Sequence, residues 1–139
     1  MGLLQMREYK EEIELAIRAF KNNIEDIHTV QEWASYANFS STKSFSRQIK
    51  IHFGKPAIKV MTELRLQKVI ELMLKSPEES LFCIARMVGL KDEKSLYDYV
   101  KYHTELSPTS LKKRVKKEKL RSEITEYNLG VKIQSVFTE

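Results

Sequence analysis

TVQEWASYANFSSTKSFSRQIKIHF, running from Thr29 to Phe53, returns 51 residues later as SLFCIARMVGLKDEKSLYDYVKYHT, from Ser80 to Thr104. Each copy reads as a short helix, a tight turn and a second helix. Ala34/Ala85, Lys43/Lys94, Ser44/Ser95, Lys50/Lys101 and His52/His103 are identical, and Val30/Leu81, Trp33/Ile84, Ala37/Val88, Phe39/Leu90, Phe45/Leu96 and Ile49/Val100 keep apolar character. The apolar positions expected to face inward keep their character throughout both copies, so the duplication includes the packing, and it predicts two small lobes in place of one large core.

Local chemistry places the helices. Thr29 with Glu32 three residues on predicts a capping box at the start of the first short helix, and Val30, Trp33, Ala34 and Ala37 form its apolar stripe. Asn38 ends it, and Gly89 stands at the equivalent place in the second copy. These residue types best tolerate the left-handed backbone of a sharp interhelical turn. In the helix that follows, Phe45 and Ile49 point inward, while Lys43, Ser46, Arg47 and Lys50 share the other side. Upstream, Ile13, Ala16, Ile17 and Phe20 predict an amphipathic helix from about Tyr9 to Asn22. Between the copies, Ile58, Met61, Leu64, Leu66, Val69, Ile70, Met73 and Leu74 mark a long helix over 57–75, apolar around much of its circumference and expected to touch both lobes. Ser76-Pro77 breaks it, and Ser80 is placed to cap the next helix. Trp33 and Cys83 fall on stripes read as buried, hence as packing residues. Beyond Pro108 a helix runs through Lys112 and Lys116, and Val131, Ile133 and Val136 suggest a strand in the tail.

The expected organisation is therefore an all-α chain with an N-terminal tail (1–10), a first subdomain (11–56), a joining helix (57–75), a second subdomain (76–117), and a basic helix end with a C-terminal extension (118–139). Net charge is +5 with pI near 9.2, and its distribution says more than its sum. From Thr29 to Pro56 there are four basic residues against one acidic, from Lys112 to Arg121 seven against one, and from Met1 to His28 four against six. Such zones favour an anionic partner. One cysteine, Cys83, rules out an intrachain disulfide and a thiolate zinc site, which fits a reducing compartment. The start lacks the apolar core of a signal peptide, and the expected location is the cytoplasm. His28, His52 and His103 are scattered, with the last two at equivalent repeat positions. No metal-ligand spacing, phosphate-cradling glycine loop or nucleophile motif appears, so neither an enzyme nor a cofactor is expected.

Two such units joined by a long helix resemble the DNA-binding domain of AraC/XylS-type transcription regulators over roughly residues 12–117. The resemblance is carried by RLQKVIELML (Arg65 to Leu74), LFCIARMVGLKDEKSLYDYVK (Leu81 to Lys101) and Leu106-Ser107-Pro108. It implies two helix-turn-helix subdomains whose second helices, Lys43 to Lys50 and Lys94 to Lys101, each enter a major groove of double-stranded DNA. It also implies transcription regulation, including contact with RNA polymerase. The geometry of the segment agrees: about 18 residues at 1.5 Å each span roughly 27 Å, close to the roughly 34 Å between successive major-groove faces. Because the copies differ in surface sequence, the expected site is asymmetric.

Arg47 is the leading base reader, since a guanidinium pairs bidentately with guanine O6 and N7. Lys43 lies one turn earlier and matches a position the family uses for bases. Ser44, Ser46, Gln48 and Lys50 are candidates for base or phosphate contact. The second copy departs from the pattern: Asp98 stands where Arg47 stands, and Asp92 and Glu93 open the helix, favouring its dipole but opposing phosphate. Asp98 either accepts from cytosine N4, or it sits off the DNA or pairs with a lysine. Lys94, Ser95 and Lys101 remain contact candidates, with Tyr97 and Tyr99 packing, stacking or meeting backbone. Lys112 and Lys113, with Arg114, Lys116, Lys117, Lys119 and Arg121, either track phosphates or form a solvated helix face. Two versions of the whole are open: a free-standing short regulator without a small-molecule ligand, or the reading domain of a longer protein. The alternative class is a protein-interaction module on this scaffold, with the acidic second lobe and the tail near Ile133 and Phe137 meeting a protein.

Overall fold

The computed structural model describes residues 2–121, with side chains described over 10–117. Seven helices make up the described chain: α1 (Gly2–Asn22), α2 (Val30–Tyr36), α3 (Thr42–Phe53), α4 (Ala57–Lys75), α5 (Leu81–Met87), α6 (Glu93–Thr104) and α7 (Pro108–Arg121). No strand occurs among the described residues, and the fold is all-α with two helix-turn-helix modules, α2–α3 and α5–α6. By their internal contacts the helices group into two compact units, Met1–Leu64 and Arg65–Glu139. The strand expected at Val131, Ile133 and Val136, and the surface expected near Phe137, lie outside the described residues.

In the first unit, Ile13, Ala16 and Phe20 of α1, Ile24 and Ile27 of the following loop, Trp33 and Ala34 of α2, and Phe45 and Ile49 of α3 are buried. Trp33 is the centre of this core. Its ring meets Phe20 at 5.5 Å and Phe45 at 4.8 Å edge-on, and its Nε1–H donates to the Ala16 carbonyl at 2.9 Å. The indole thus buries its area without stranding its one polar atom. Helix α1 begins at Gly2, well before the predicted start near Tyr9. Leu3, Leu4, Gln5, Met6 and Arg7 are strong helix formers with no breaker among them, so propensity extends the helix beyond the periodic stripe.

The turns of the two modules are closed by the same hydrogen bonds from different residues. Asn38 and Gly89 have φ of 65° and 89°. Their amides donate to Ser35 and Arg86, and the next amides, Phe39 and Leu90, donate to Ala34 and Ala85. Each is a Schellman motif, which needs one left-handed residue and otherwise constrains only the backbone. Asn and Gly meet that need by different means.

Helix α4 explains the apolar circumference read from its sequence. Ala57, Val60, Met61 and Leu64 form one buried i, i+3, i+4, i+7 stripe, and Leu66, Val69, Ile70 and Met73 form another, out of phase with the first. Two charged residues near the changeover are also buried. Glu63 is 3% exposed and receives Lys55 Nζ on both oxygens, at 2.9 and 3.1 Å. Arg65 is 4% exposed, and its guanidinium donates to the Val88 carbonyl at the end of α5. Burial pulls the Arg65 pKa below its ordinary value, partly offset by charge interaction and a hydrogen bond with Tyr99 of α6. This one side chain therefore ties α4, the turn of the second module and its second helix together.

Cys83 is exposed, contrary to the buried stripe expected for it. The inward face of α5 is Ile84, Ala85 and Val88, which turns residue 83 about 100° away from residue 84. The repeat itself held the correction, because Cys83 aligns with Glu32, an exposed cap residue.

Candidate nucleic-acid interface

Helix α3 is started by Ser41, whose side chain accepts from the Ser44 amide at 3.0 Å, and is stopped by Gly54 at φ 73°. With Phe45 and Ile49 fully buried, helical phase turns Lys43, Arg47 and Lys50 outward, and all three are exposed. None of the three forms an ion pair among the described residues. Ser44 is exposed too, although its amide is already used by the cap. Ser46 and Gln48 lie on the flanks, half-buried, one on each side of the apolar stripe. The result is a narrow cationic row edged by short polar groups.

Helix α6 has the same frame and different chemistry. Asp92 caps it, accepting from the Ser95 amide at 2.8 Å, and that backbone bond holds its carboxyl below the usual range. Leu96 and Val100 are buried, Lys94, Asp98 and Lys101 are exposed, and Ser95 is half-buried. Asp98 pairs with Lys94 at 3.1 Å across one helical turn, with both side chains well exposed. This matches the lysine-paired alternative for Asp98, and it neutralises the middle of the row where α3 carries free charge. Exposed pairs of this kind are weak, contributing about 0.3–0.5 kcal/mol, so the ion pair can open to meet a better partner. Tyr97 is exposed, while Tyr99 is half-buried with its ring 4.7 Å from His103.

On α7 the basic residues divide. Lys113, Arg114, Lys116 and Lys117 are exposed. Lys112 is half-buried, and its Nζ donates to the Glu79 carbonyl at 3.0 Å, tying α7 to the segment before α5. The side chains of Lys119 and Arg121 lie outside those described. Ser107 supports the start of α7 by accepting from the Ser110 amide at 3.1 Å, with Pro108 in the first helical position, where its missing N–H has no consequence.

Among the described residues no three His, Cys, Asp or Glu side chains come together as a metal site, and no helix is long and apolar enough to cross a membrane.

A family model described as a helix-turn-helix domain matches residues 33–114, from the middle of α2 into α7. The chain belongs to the AraC-type helix-turn-helix family. The fold of an AraC-type domain is seen in two solved structures. One is a transcriptional regulator with an AraC-type DNA-binding domain from Chromobacterium violaceum, at 20% identity and TM-score 0.64, covering 76% of this chain and 93% of that one. The other is the C-terminal domain of AraT, a response regulator from Geobacillus stearothermophilus, at 24% identity and TM-score 0.63, covering 84% of this chain and 89% of that one. No curated protein sequence matches the chain. The AraC-type family and fold are those of DNA-binding transcription regulators, not of enzymes.

Proposed function

We propose that this protein reads double-stranded DNA sequence-specifically and regulates transcription, with α3 as its principal reading helix and α6 as a second. The observation that carries the reading is the outward row of Lys43, Arg47 and Lys50 on α3, exposed and without ion pairs among the described residues. Unpaired cations on the open face of a helix-turn-helix unit lose little on meeting phosphate and gain counterion release. Arg47 at the centre of the row is the residue for guanine, with Lys43 beside it. Ser44, Ser46, Gln48 and Lys50 are supporting contacts, and Lys94, Ser95, Asp98 and Lys101 are their counterparts on α6. Lys113 is the phosphate contact on α7, and Lys112 adds to it from a more tethered position. Contact with RNA polymerase belongs to the same proposal, and its one support is the family resemblance.

Selection from random duplex DNA, followed by footprinting at two salt concentrations, tests the reading. The expected product is an asymmetric site with two protected major-groove segments about one helical turn apart. Replacing Lys43 and Arg47 together by alanine is expected to abolish the sequence preference of the first segment while leaving the helical content intact. One protected segment would restrict reading to α3. Absence of any enriched sequence, with binding that fades steeply as salt rises, would overturn sequence-specific reading and leave charge attraction alone.

A further inference from the structure

We infer that Ile51 and Tyr102 are also DNA contacts, each laying an apolar surface against the C5-methyl group of a thymine in the major groove. The inference rests on the DNA reading above and adds to it two residues and a base. Among the large hydrophobic side chains described, Tyr102 at 79% and Ile51 at 70% are the most exposed. One bare apolar residue on a surface needs no explanation. These two occupy the same place in the repeat, 51 residues apart, in the sequences Lys50-Ile51-His52 and Lys101-Tyr102-His103. Their neighbours are identical in the two copies, Lys50 with Lys101 and His52 with His103, so this stretch of surface is kept in both and the shared exposure calls for a shared use.

Helical phase says what that use is. Lys43, Arg47 and Ile51 stand at i, i+4 and i+8 and form one continuous row along α3. Lys94, Asp98 and Tyr102 form the matching row along α6. Each row lies across its helix from the buried pair, Phe45 and Ile49 or Leu96 and Val100. Eight residues at 1.5 Å each give a row of about 12 Å along the helix. On α3 the row begins in cations and ends in an apolar side chain, which suits a groove rimmed by phosphates with methyl groups on its floor; on α6 the Lys94–Asp98 pair leaves the row neutral before Tyr102. An apolar protein groove would instead have to desolvate Arg47 without a partner for its charge. On α6 the end of the row borders a shallow depression lined by Ser95, Asp98, Tyr99, Lys101, Tyr102 and His103. There the Tyr102 ring is braced edge-on by His103 at 4.9 Å, which rests in turn on Tyr99 at 4.7 Å.

The test takes the duplex enriched by the wild-type chain and replaces its thymines one at a time by deoxyuracil, which removes only the methyl group. Affinities are measured for wild type, Ile51→Ala and Tyr102→Ala. One thymine in the first segment is expected to lose roughly fourfold in affinity on demethylation, about the contribution of one buried methyl group. Ile51→Ala should lose a similar factor and then be indifferent to that replacement. Tyr102→Ala should behave likewise toward a thymine in the second segment. Both residues are exposed, so unchanged melting temperatures separate these effects from folding. If a site is enriched and depends on Lys43 and Arg47, yet every thymine can be demethylated without loss or the two losses multiply, this inference falls and the DNA reading stands. If no duplex is enriched, the reading beneath it falls and the inference with it.

Discussion

Replacing Arg65 by methionine would remove the side chain that holds the turn of the second module from α4. Arg65 is 4% exposed, and its guanidinium donates to the carbonyl of Val88, a residue with no exposed surface. Methionine fills much of the same space but gives that carbonyl no donor, and burial keeps water from substituting. A hydrogen bond from a charged group contributes about 1.5–3 kcal/mol net, and a buried acceptor left unpaired costs about 1–3 kcal/mol, two views of one loss that are not to be added. Working against the loss is the desolvation of the charge, the largest influence on the Arg65 pKa, which methionine relieves. The balance is a destabilisation of about 2 kcal/mol, or roughly 10 °C in melting temperature for a unit of this size. Urea titration followed by far-UV circular dichroism measures it. Trp33 is the only tryptophan and belongs to the first unit, whereas Arg65 and Val88 belong to the second, so circular dichroism is the probe of choice over fluorescence. Arg65→Lys, which keeps a charge but not the planar fork, is expected to fall between wild type and methionine. A change below about 0.5 kcal/mol, the range of ordinary surface substitutions, would refute the claim that this bond holds the turn.

Three further outcomes follow from local geometry. Gly54 has φ 73° and a Cβ there would meet nothing within 4 Å, so Gly54→Ala should cost only the left-handed torsion, about 1–2 kcal/mol less a few tenths for the stiffer unfolded chain, as read by urea midpoint; a larger loss would mean the site is crowded. The Glu32 carboxylate accepts from the His28 and Thr29 amides at 2.7 and 3.1 Å, and the His28 bond is the chief cause of its lowered pKa. A depressed folded pKa gives stability that is full above the ordinary glutamate value of about 4.3 and is lost as pH falls through the folded value. The stability gap between wild type and Glu32→Gln should therefore shrink on going from neutral to strongly acid pH, and a gap equal at both would contradict the linkage. On α7, Lys113→Ala should lower the salt dependence of DNA affinity by about 0.9 in log–log slope with folding unchanged, whereas Lys112→Ala should also lower stability because its bond to Glu79 is lost. Identical behaviour of the two variants would show that the tether has no consequence.

Helix positions were legible because their signals are local. The capping box at Thr29 and Glu32 forms as the sequence predicts, since its partners lie three residues apart. The joining helix over 57–75 ends at Lys75, one residue short of Ser76-Pro77, because a pyrrolidine ring cannot donate an amide and crowds the residue before it. The candidate row on α3 was legible for the same reason: with Phe45 and Ile49 inside, helical phase leaves Lys43, Arg47 and Lys50 outside. Ile51 stands one turn beyond Arg47 and was open to the same argument. Glu105, left-handed at φ 67°, could not be read from its residue type, although it aligns with Gly54.

By itself, then, the sequence determined seven helical segments' worth of periodicity, the doubled turn, and which side of α3 is cationic, all of which depend on contacts a few residues apart. Only the tertiary structure decided the bonds made across long stretches of chain: Trp33 to Ala16, Arg65 to Val88 and Lys112 to Glu79. A side chain's type says that it needs a partner, but which backbone carbonyl supplies one depends on how the helices pack. For that reason neither the burial of Arg65 nor the tether on Lys112 could be foreseen, and both bear on how the second module is held together.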